Sequence, residues 1–492
     1  MNVLLIYPQS PDTFWGFKHA VKFISKKSSE IPLGLVTVAG MLPREWELKL
    51  IDTNITKLRR RDLEWADMVF LSGMNIHLSS FQKIVRQCNE QNVRVVAGGP
   101  LVTMEHEQLL GVDHFILNEA EMTLPQFLKD LANGCPQPVY QTTEFPDIAL
   151  TPVPRWDLLD MRQYVSMNIQ YSRGCPYNCE FCHITTLNGR NPRTKSREQL
   201  LAELDSLYDI GWRGPVFIVD DNFIGNRKKL KSEILPAMVE WTAEHNFPFS
   251  FTTETSLNIC DDDELIDLMA AVGFNHIFIG IETPNKASLA ECGKYQNIDR
   301  DIVSSIKKLH QKGLRVSGGF IIGFDNDTQE IFNAQINLIQ NSGVVTAMVG
   351  LLNAPTGTRL YERLKREDRL VNFFNGNNVE ASINFVPKMN YKLLMNGYVS
   401  LLRFIYAQPN YYQRVKTFLK EYKLPTSANL KVTLNDIGAL FKSVWRLGIF
   451  EKGRLYYWRL FFYSLFRCPR KFPMAITMAI YGFHFRRIIK TL

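Results

Sequence analysis

The segment Tyr171-Ser-Arg-Gly-Cys175-Pro-Tyr-Asn-Cys179-Glu-Phe-Cys182 sets three cysteines at C-x3-C-x2-C spacing behind a glycine. Thiolates this close can share one metal centre, but three are one ligand short of a closed site. A four-iron cluster ordinarily takes four cysteines, and structural zinc also takes four ligands. The loop therefore predicts a [4Fe-4S] cubane whose fourth iron stays open for an exchanging ligand, with a structural zinc loop as the competing reading. His183 directly follows the last cysteine; adjacent residues rarely reach one metal, so it is not expected to close the site. Tyr177 and Phe181 would wall the cluster from water. Arg190 and Arg193, just beyond the loop, could pair with a carboxylate or remain solvated charges.

The elements that must position this loop fall into three segments. Residues 1–145 alternate short apolar runs with helical periods: strands at Val3–Tyr7, Glu47–Asp52, Met68–Ser72, Val93–Ala97 and His114–Leu117, helices at Leu33–Leu42, Leu78–Asn89 and Met122–Leu131. That alternation predicts a doubly wound parallel α/β sheet, which binds ligands at the carboxyl ends of its strands. Those ends are small and polar: Tyr7-Pro-Gln, Ser72-Gly73-Met-Asn, and Gly98-Gly99-Pro100. After a linker over 146–164, residues 165–370 carry the cysteines and then strand–helix units. Its strands are expected at Met167–Tyr171, Val216–Val219, Phe249–Thr253, His276–Ile279, Val316–Ile322 and Val345–Leu352, with helices at Arg197–Ile210, Asp262–Val272 and Arg300–Lys312. Residues 371–492 open on the polar stretch 372–378 and then read as mostly helical, at Tyr391–Ala407, Tyr411–Glu421, Leu434–Leu447 and Arg454–Phe466, with a further apolar run over Phe472–Phe485.

Of eight cysteines in 492 residues three are in the loop and five are scattered singly, which is no disulfide framework and suits a reducing, cytoplasmic setting. Met1-Asn-Val-Leu-Leu-Ile enters a strand directly, with no basic leader region, so no signal peptide is expected. The net charge of +8 is uneven. From Leu440 onward eleven basic residues face the single acid Glu451, a tail of +10 on a body of −2. Such a tail points to an anionic partner. Its apolar runs are too short to span a bilayer. Basic and aromatic helices could lie in the membrane interface at the inner face, or cap the preceding domain with their charges in water. Nucleic acid fits poorly, because the aromatics cluster without polar base-reading residues among them.

The cysteine loop resembles that of the radical S-adenosylmethionine (SAM) enzymes. The first segment is similar to the cobalamin-binding domain found ahead of that core, in Ile31-Pro-Leu-Gly-Leu, Ala97-Gly-Gly-Pro100 and Asn118-Glu-Ala-Glu-Met-Thr-Leu124, where the family usually begins with glycine in place of Asn118. With Phe14-Trp-Gly-Phe-Lys-His-Ala20, Pro152-Val-Pro-Arg-Trp-Asp157 and Tyr411-Tyr-Gln-Arg414, nearly the whole chain resembles the cobalamin-dependent group that includes the hopanoid 2-methylases. The resemblance implies a partial βα barrel for the second segment. Cys175, Cys179 and Cys182 would hold the cluster. SAM would lie against Phe181, Asp220, Asp221, Glu254, Gly280, Glu282 and Gly319, with the Asp220-Asp-Asn222 run taking its amino group and Glu254 a ribose hydroxyl. Asp220, Glu254 and Glu282 could equally be helix caps or turn formers. Cobalamin would lie against Ser72, Gly73, Gly98, Gly99, Pro100 and Glu119. No Asp-x-His-x-x-Gly occurs, so no histidine of that motif can be its lower ligand, and His77, His106 and His114 read as ordinary loop or surface residues.

The implied reaction uses one SAM to methylate reduced cobalamin. A second is cleaved at the open iron to a radical that abstracts hydrogen from an unactivated carbon, which then takes the methyl group. Such a carbon has no useful acidity, so the cofactors must do the chemistry. The expected substrate is lipid-like, a hopanoid or other isoprenoid, and the expected electron donor is a ferredoxin or flavodoxin. Two rivals stay open: a radical cyclase or oxidoreductase acting on a lipid or tetrapyrrole without methyl transfer, and a non-catalytic cobalamin or redox sensor.

Overall fold

The computed structural model describes residues 1–372, 374, 376–377, 379–424 and 433–492. Parts of the expected boundary stretch, Phe373, Asn375 and Asn378, therefore lie outside the described residues.

Six parallel strands form the first sheet: β1 (Asn2–Tyr7), β2 (Glu47–Asp52), β3 (Met68–Ser72), β4 (Arg94–Gly98), β5 (His114–Ile116) and β6 (Val139–Tyr140), in the order β2-β1-β3-β4-β5-β6. The order reverses at β1, so β1 and β3 diverge to their neighbours and leave a crevice beyond their carboxyl ends. The strands are apolar on both faces: Leu4, Ile6, Val69 and Leu71 pack on one side and Val3, Leu5, Met68 and Phe70 on the other. The helices Leu33–Met41, Leu78–Glu90 and Ala120–Ala132 lie close to expectation, while β6 and the helices Arg60–Trp65 and Pro100–Glu105 were not foreseen. Too few residues separate their flanking strands for a periodic pattern to stand out.

The second sheet is also parallel: β7 (Met167–Ile169), then, after the hairpin of β8 (Ser172–Arg173) and β9 (Arg193–Thr194), β10 (Pro215–Ile218), β11 (Ser250–Thr255), β12 (Phe274–Glu282), β13 (Arg315–Ile322) and β14 (Ala347–Leu351). Its order, β14-β13-β12-β11-β10-β7, follows the chain without closing, which makes a partial barrel. Side chains alternate across each strand. Ile277, Ile279 and Ile281 of β12 are fully buried under the outer helices, and His276, Phe278 and Gly280 take the inner face.

The third segment is helical, with helices at Tyr391–Tyr406, Gln408–Glu421, Leu434–Ser443 continuing as a wider turn to Phe450, Arg454–Arg467 and Phe472–Ile489. It shares one core with the barrel. Arg414, fully buried, donates to the Ile405 carbonyl at 2.8 Å and the Val345 carbonyl at 3.3 Å, tying two of its helices to the barrel edge. One reading of the tail needs correcting. The run Phe472–Phe485 belongs to an 18-residue helix whose Ala475, Met478, Ala479 and Phe485 are fully buried, so it is core and not an interfacial surface. Its partners come from the far end of the chain. Phe14 and Phe17 pack on Phe485 and Tyr481, and the Phe14 carbonyl lies 3.2 Å from His484 Nε2. No helix among the described residues is long and apolar enough to cross a membrane.

Candidate active site

The cysteine loop leaves β8 and is pinned at both ends. Gly174 sits at φ 98°, and a Cβ there would lie 2.8 Å from the Asn191 carbonyl, so only glycine lets the loop return against its own hairpin. The Cys175 amide donates to the Gly189 carbonyl at 3.2 Å, and the Glu180 amide to the Cys292 carbonyl at 2.8 Å. Arg363 grips the Glu180 carboxylate at 2.7 and 3.1 Å. Burial pushes all three cluster thiols up, Cys182 to about 12, and each added thiolate would raise its neighbours further. With no group bound the three thiols therefore keep their protons, and a cationic iron–sulfur core would displace those protons and take the thiolates.

Several expected SAM contacts have other partners. Asp220 is fully buried and accepts from the Tyr171 amide at 2.8 Å and the Ser172 hydroxyl at 2.5 Å. It therefore shapes the start of the cluster loop and has no oxygen left for an amino group. Glu282, at φ 66°, forms an ion pair with Lys294, whose ammonium also interacts with Cys179. Phe181 packs edge-on to Phe324 with ring centres 6.3 Å apart. Tyr177 accepts a 2.6 Å bond from Asn258. Gly280 and Gly319 are paired in register on neighbouring strands, and a Cβ on Gly319 would meet the Phe278 ring at 2.9 Å.

Two carboxylates remain for a ligand. Asp221 accepts from the Asn188 side chain at 3.0 Å and from the Gly174 amide, and it lines the large cavity described below. Glu254, on β11, has no hydrogen-bond donor among the described residues. Burial, with Asp221 and Glu30 nearby, pushes its carboxyl up to about 8. Glu30, hydrogen-bonded to Asn168, is an exposed neighbour of this carboxylate. A cationic ligand such as the sulfonium and ammonium of SAM would reverse the Glu254 shift.

A cavity of about 670 Å3 lies between the carboxyl ends of the first sheet and the cluster loop. Ser72, Gly73, Gly98, Gly99, Pro100 and Glu119 all line it from one side, and Gln170, Arg173, His183, Leu187 and Asp221 from the other. The wall is a cradle that side chains would fill: a Cβ on Gly99, at φ 93°, would sit 2.4 Å from Ser72 Oγ, and one on Gly98 3.0 Å from the Ile116 carbonyl. A broad flat group such as a corrin ring fits against such backbone. His77 accepts from the Met74 amide at 3.0 Å and lies 2.8 Å from Ser10 Oγ, so both ring nitrogens are engaged, and His114 is bound to the Gln137 carbonyl at 2.8 Å. Among the described residues the histidine on the cavity wall is His183, from the barrel side.

The Asn118–Leu124 motif is a bridge between domains. Arg173, two residues before Cys175, binds Glu119 at 2.6 Å and Glu121 at 2.8 Å, and Arg193 binds Glu119 at 2.6 Å, all largely out of solvent. Arg193 is thus paired, while Arg190 is exposed beside the Pro176 carbonyl at 3.4 Å. Asn118 stands at φ 63°, which explains the usual glycine and why asparagine replaces it. Sequence reasoning missed Arg173, Glu121, Lys294 and Glu30. The first two could have been found from the two charged motifs flanking one crevice.

Family models match the chain in the same three parts: a B12 binding domain over residues 23–128, the radical SAM superfamily over 169–339, and a domain of unknown function (DUF4070) over 358–492. An uncharacterized methyltransferase of Synechocystis sp. is 39% identical across 99% of this chain and 91% of its own length. The hopanoid C-2 methylase of Rhodopseudomonas palustris is 35% identical across 78% of this chain and 73% of its own. This chain belongs to the cobalamin-dependent radical SAM methyltransferases. Its cofactors are accordingly a [4Fe-4S] cluster, SAM and cobalamin. The fold of this methyltransferase is that of OxsB with aqua-cobalamin bound (TM-score 0.63, 14% identity, covering 100% of this chain and 80% of that one). It is equally that of TsrM from Kitasatospora setae (TM-score 0.63, 15% identity, 93% and 99%).

Proposed function

We propose that this enzyme methylates an unactivated carbon of a hopanoid or other isoprenoid lipid, with reducing equivalents from a ferredoxin or flavodoxin. The observation that carries the reading is the inner face of the barrel. Phe217, Phe278 and Ile321 alternate there with outward residues that are fully buried, and Trp15 of the first segment lies 4.7 Å from Phe278. Apolar walls with a few polar groups suit a rigid hydrocarbon bearing one polar end. With Glu254 assigned to SAM, Gln170 and Glu30 are the polar groups available nearby. The 35% identity to a hopanoid C-2 methylase supports the same substrate class.

When bound, the cluster and cobalamin supply hydrogen abstraction and methyl transfer, chemistry no side chain can perform. This chain's residues bind and align. Cys175, Cys179 and Cys182 would hold the cluster, Asp221 and Glu254 would take the cationic end of SAM, and the Gly98-Gly99 cradle would take the corrin. The test is anaerobic incubation of the reconstituted enzyme with a reductant, methyl-deuterated SAM and a pentacyclic hopene. The product should gain one labelled methyl group. Loss of hydrogen without label, or labelling only of a polar non-lipid acceptor, would sink the proposal.

A further inference from the structure

A second, open groove of about 860 Å3 lies where the two ends of the chain meet, lined by His19, Lys22 and Phe23 from the first segment and Phe441, Lys442, Trp445, Arg446, Phe483 and Arg487 from the last. Five of these side chains are basic, counting His19, and none is acidic. His19 faces Asp12 at 3.5 Å, and Lys442 is bound to Ser25 Oγ at 2.7 Å. Lys22, Arg446 and Arg487 have no carboxylate within ion-pair reach among the described residues. Both guanidinium groups instead sit over the Phe483 ring, at 5.6 and 5.3 Å.

Beside the groove runs an unpartnered apolar stripe. Ile437, Phe441, Trp445 and Ile449 recur every fourth residue along one helix, and they are 44, 70, 62 and 44% exposed. Leu455, Phe462, Leu465 and Phe466 form a second exposed row on the next helix, flanked by Arg454, Arg459 and Arg467. Exposed aromatic stripes interleaved with cations are what an interfacial helix presents to a bilayer. A second copy of this chain is a poor occupant, because a symmetric contact would set the same unpaired cations against each other.

We propose that this face seats the enzyme on an anionic phospholipid bilayer, with a headgroup phosphate among Lys22, Arg446 and Arg487 and acyl chains against Phe23, Phe441 and Trp445. The segment 14–24 that supplies Lys22 and Phe23 also supplies Trp15, the residue against Phe278, so one stretch of chain touches both the seat and the barrel. This goes beyond the substrate reading and stands independently of it.

The test is sedimentation of the full-length enzyme with phosphatidylcholine vesicles with or without phosphatidylglycerol. Binding should require phosphatidylglycerol and weaken as salt is raised. The pair R446Q/R487Q should weaken it roughly 25-fold, two cations at about a factor of five each. F441S/W445S should abolish it and remove a vesicle-induced blue shift of tryptophan fluorescence. Both variants should keep wild-type cluster content and SAM cleavage with soluble reductant, which separates failure here from failure of the methylation reading. Equal binding to phosphatidylcholine alone, unchanged binding by both variants, competition by inorganic phosphate at low millimolar levels, or a dimer that dissolves on R446Q/R487Q would each overturn the proposal.

Discussion

Asp220 follows β10 and Glu254 lies on the neighbouring β11, and burial raises both, to about 7 and about 8. Their surroundings differ. Asp220 spends its oxygens on the Tyr171 amide and the Ser172 hydroxyl, as Glu119 and Glu121 spend theirs on Arg173 and Arg193. Glu254 and Asp221, facing the interior, have respectively no donor and a single side-chain donor, Asn188. The rim that carries the cysteines is a finished polar network, and the interior opposite it is an unfinished one. Unfinished groups in a buried chamber are where a ligand completes the structure.

Removing a proposed cluster ligand gives the sharpest contrast. Cys179→Ala should abolish SAM cleavage outright, read as 5′-deoxyadenosine, while leaving the fold intact. Arg173→Met acts on the finished rim. It strands Glu121 with only the Thr151 hydroxyl and removes one of two partners of Glu119. Stranding a buried partner costs about 3–5 kcal/mol, so its unfolding midpoint should drop sharply. Should Arg173→Met unfold like the wild type, the rim is not a structural network and the contrast fails.

Glu254→Gln should do the reverse. Without SAM, the folded protein keeps a proton on Glu254 between the ordinary carboxylate range and pH 8, where the unfolded chain has released it, so stability falls as pH rises through that window. Glutamine removes this cost. The variant should be more stable near pH 8 by on the order of 4 kcal/mol, with no gain below pH 4, and should bind SAM more weakly. A variant that is less stable at pH 8 would place Glu254 among the structural carboxylates.

Much of this was legible in the residues. The strand ends, the cysteine loop and the glycine turns carry local signals, and nearly every expected strand of both sheets lies within three residues of its observed bounds. Partner choice was not legible. Asp220 and Glu282 stand at strand ends, where a ligand contact and a structural bond look alike in sequence. What separates them is Ser172, 48 positions from Asp220, and Lys294, 12 from Glu282. The tail misled for a related reason: Phe472–Phe485 and Arg454–Phe466 are both apolar and aromatic runs, but it is the first that meets Phe14 and Phe17 from the opposite end of the chain.

Asn118 tests which class a cavity-lining residue belongs to. Its amide donates to Thr103 Oγ1 at 2.9 Å and its side-chain oxygen accepts from the Thr142 amide at 3.3 Å, so it belongs to the finished rim although it lines the cofactor cavity. Its φ of 63° is left-handed, where an ordinary side chain costs about 1–2 kcal/mol. Asn118→Ala should therefore lose about 1 kcal/mol or slightly more, whereas Asn118→Gly should stay within a few tenths, since glycine regains in backbone freedom what the Thr142 bond supplied. Both should bind cobalamin nearly as the wild type does. Equal stabilities for the two variants with a large loss of cobalamin from both would move Asn118 out of the rim and make it a cofactor contact.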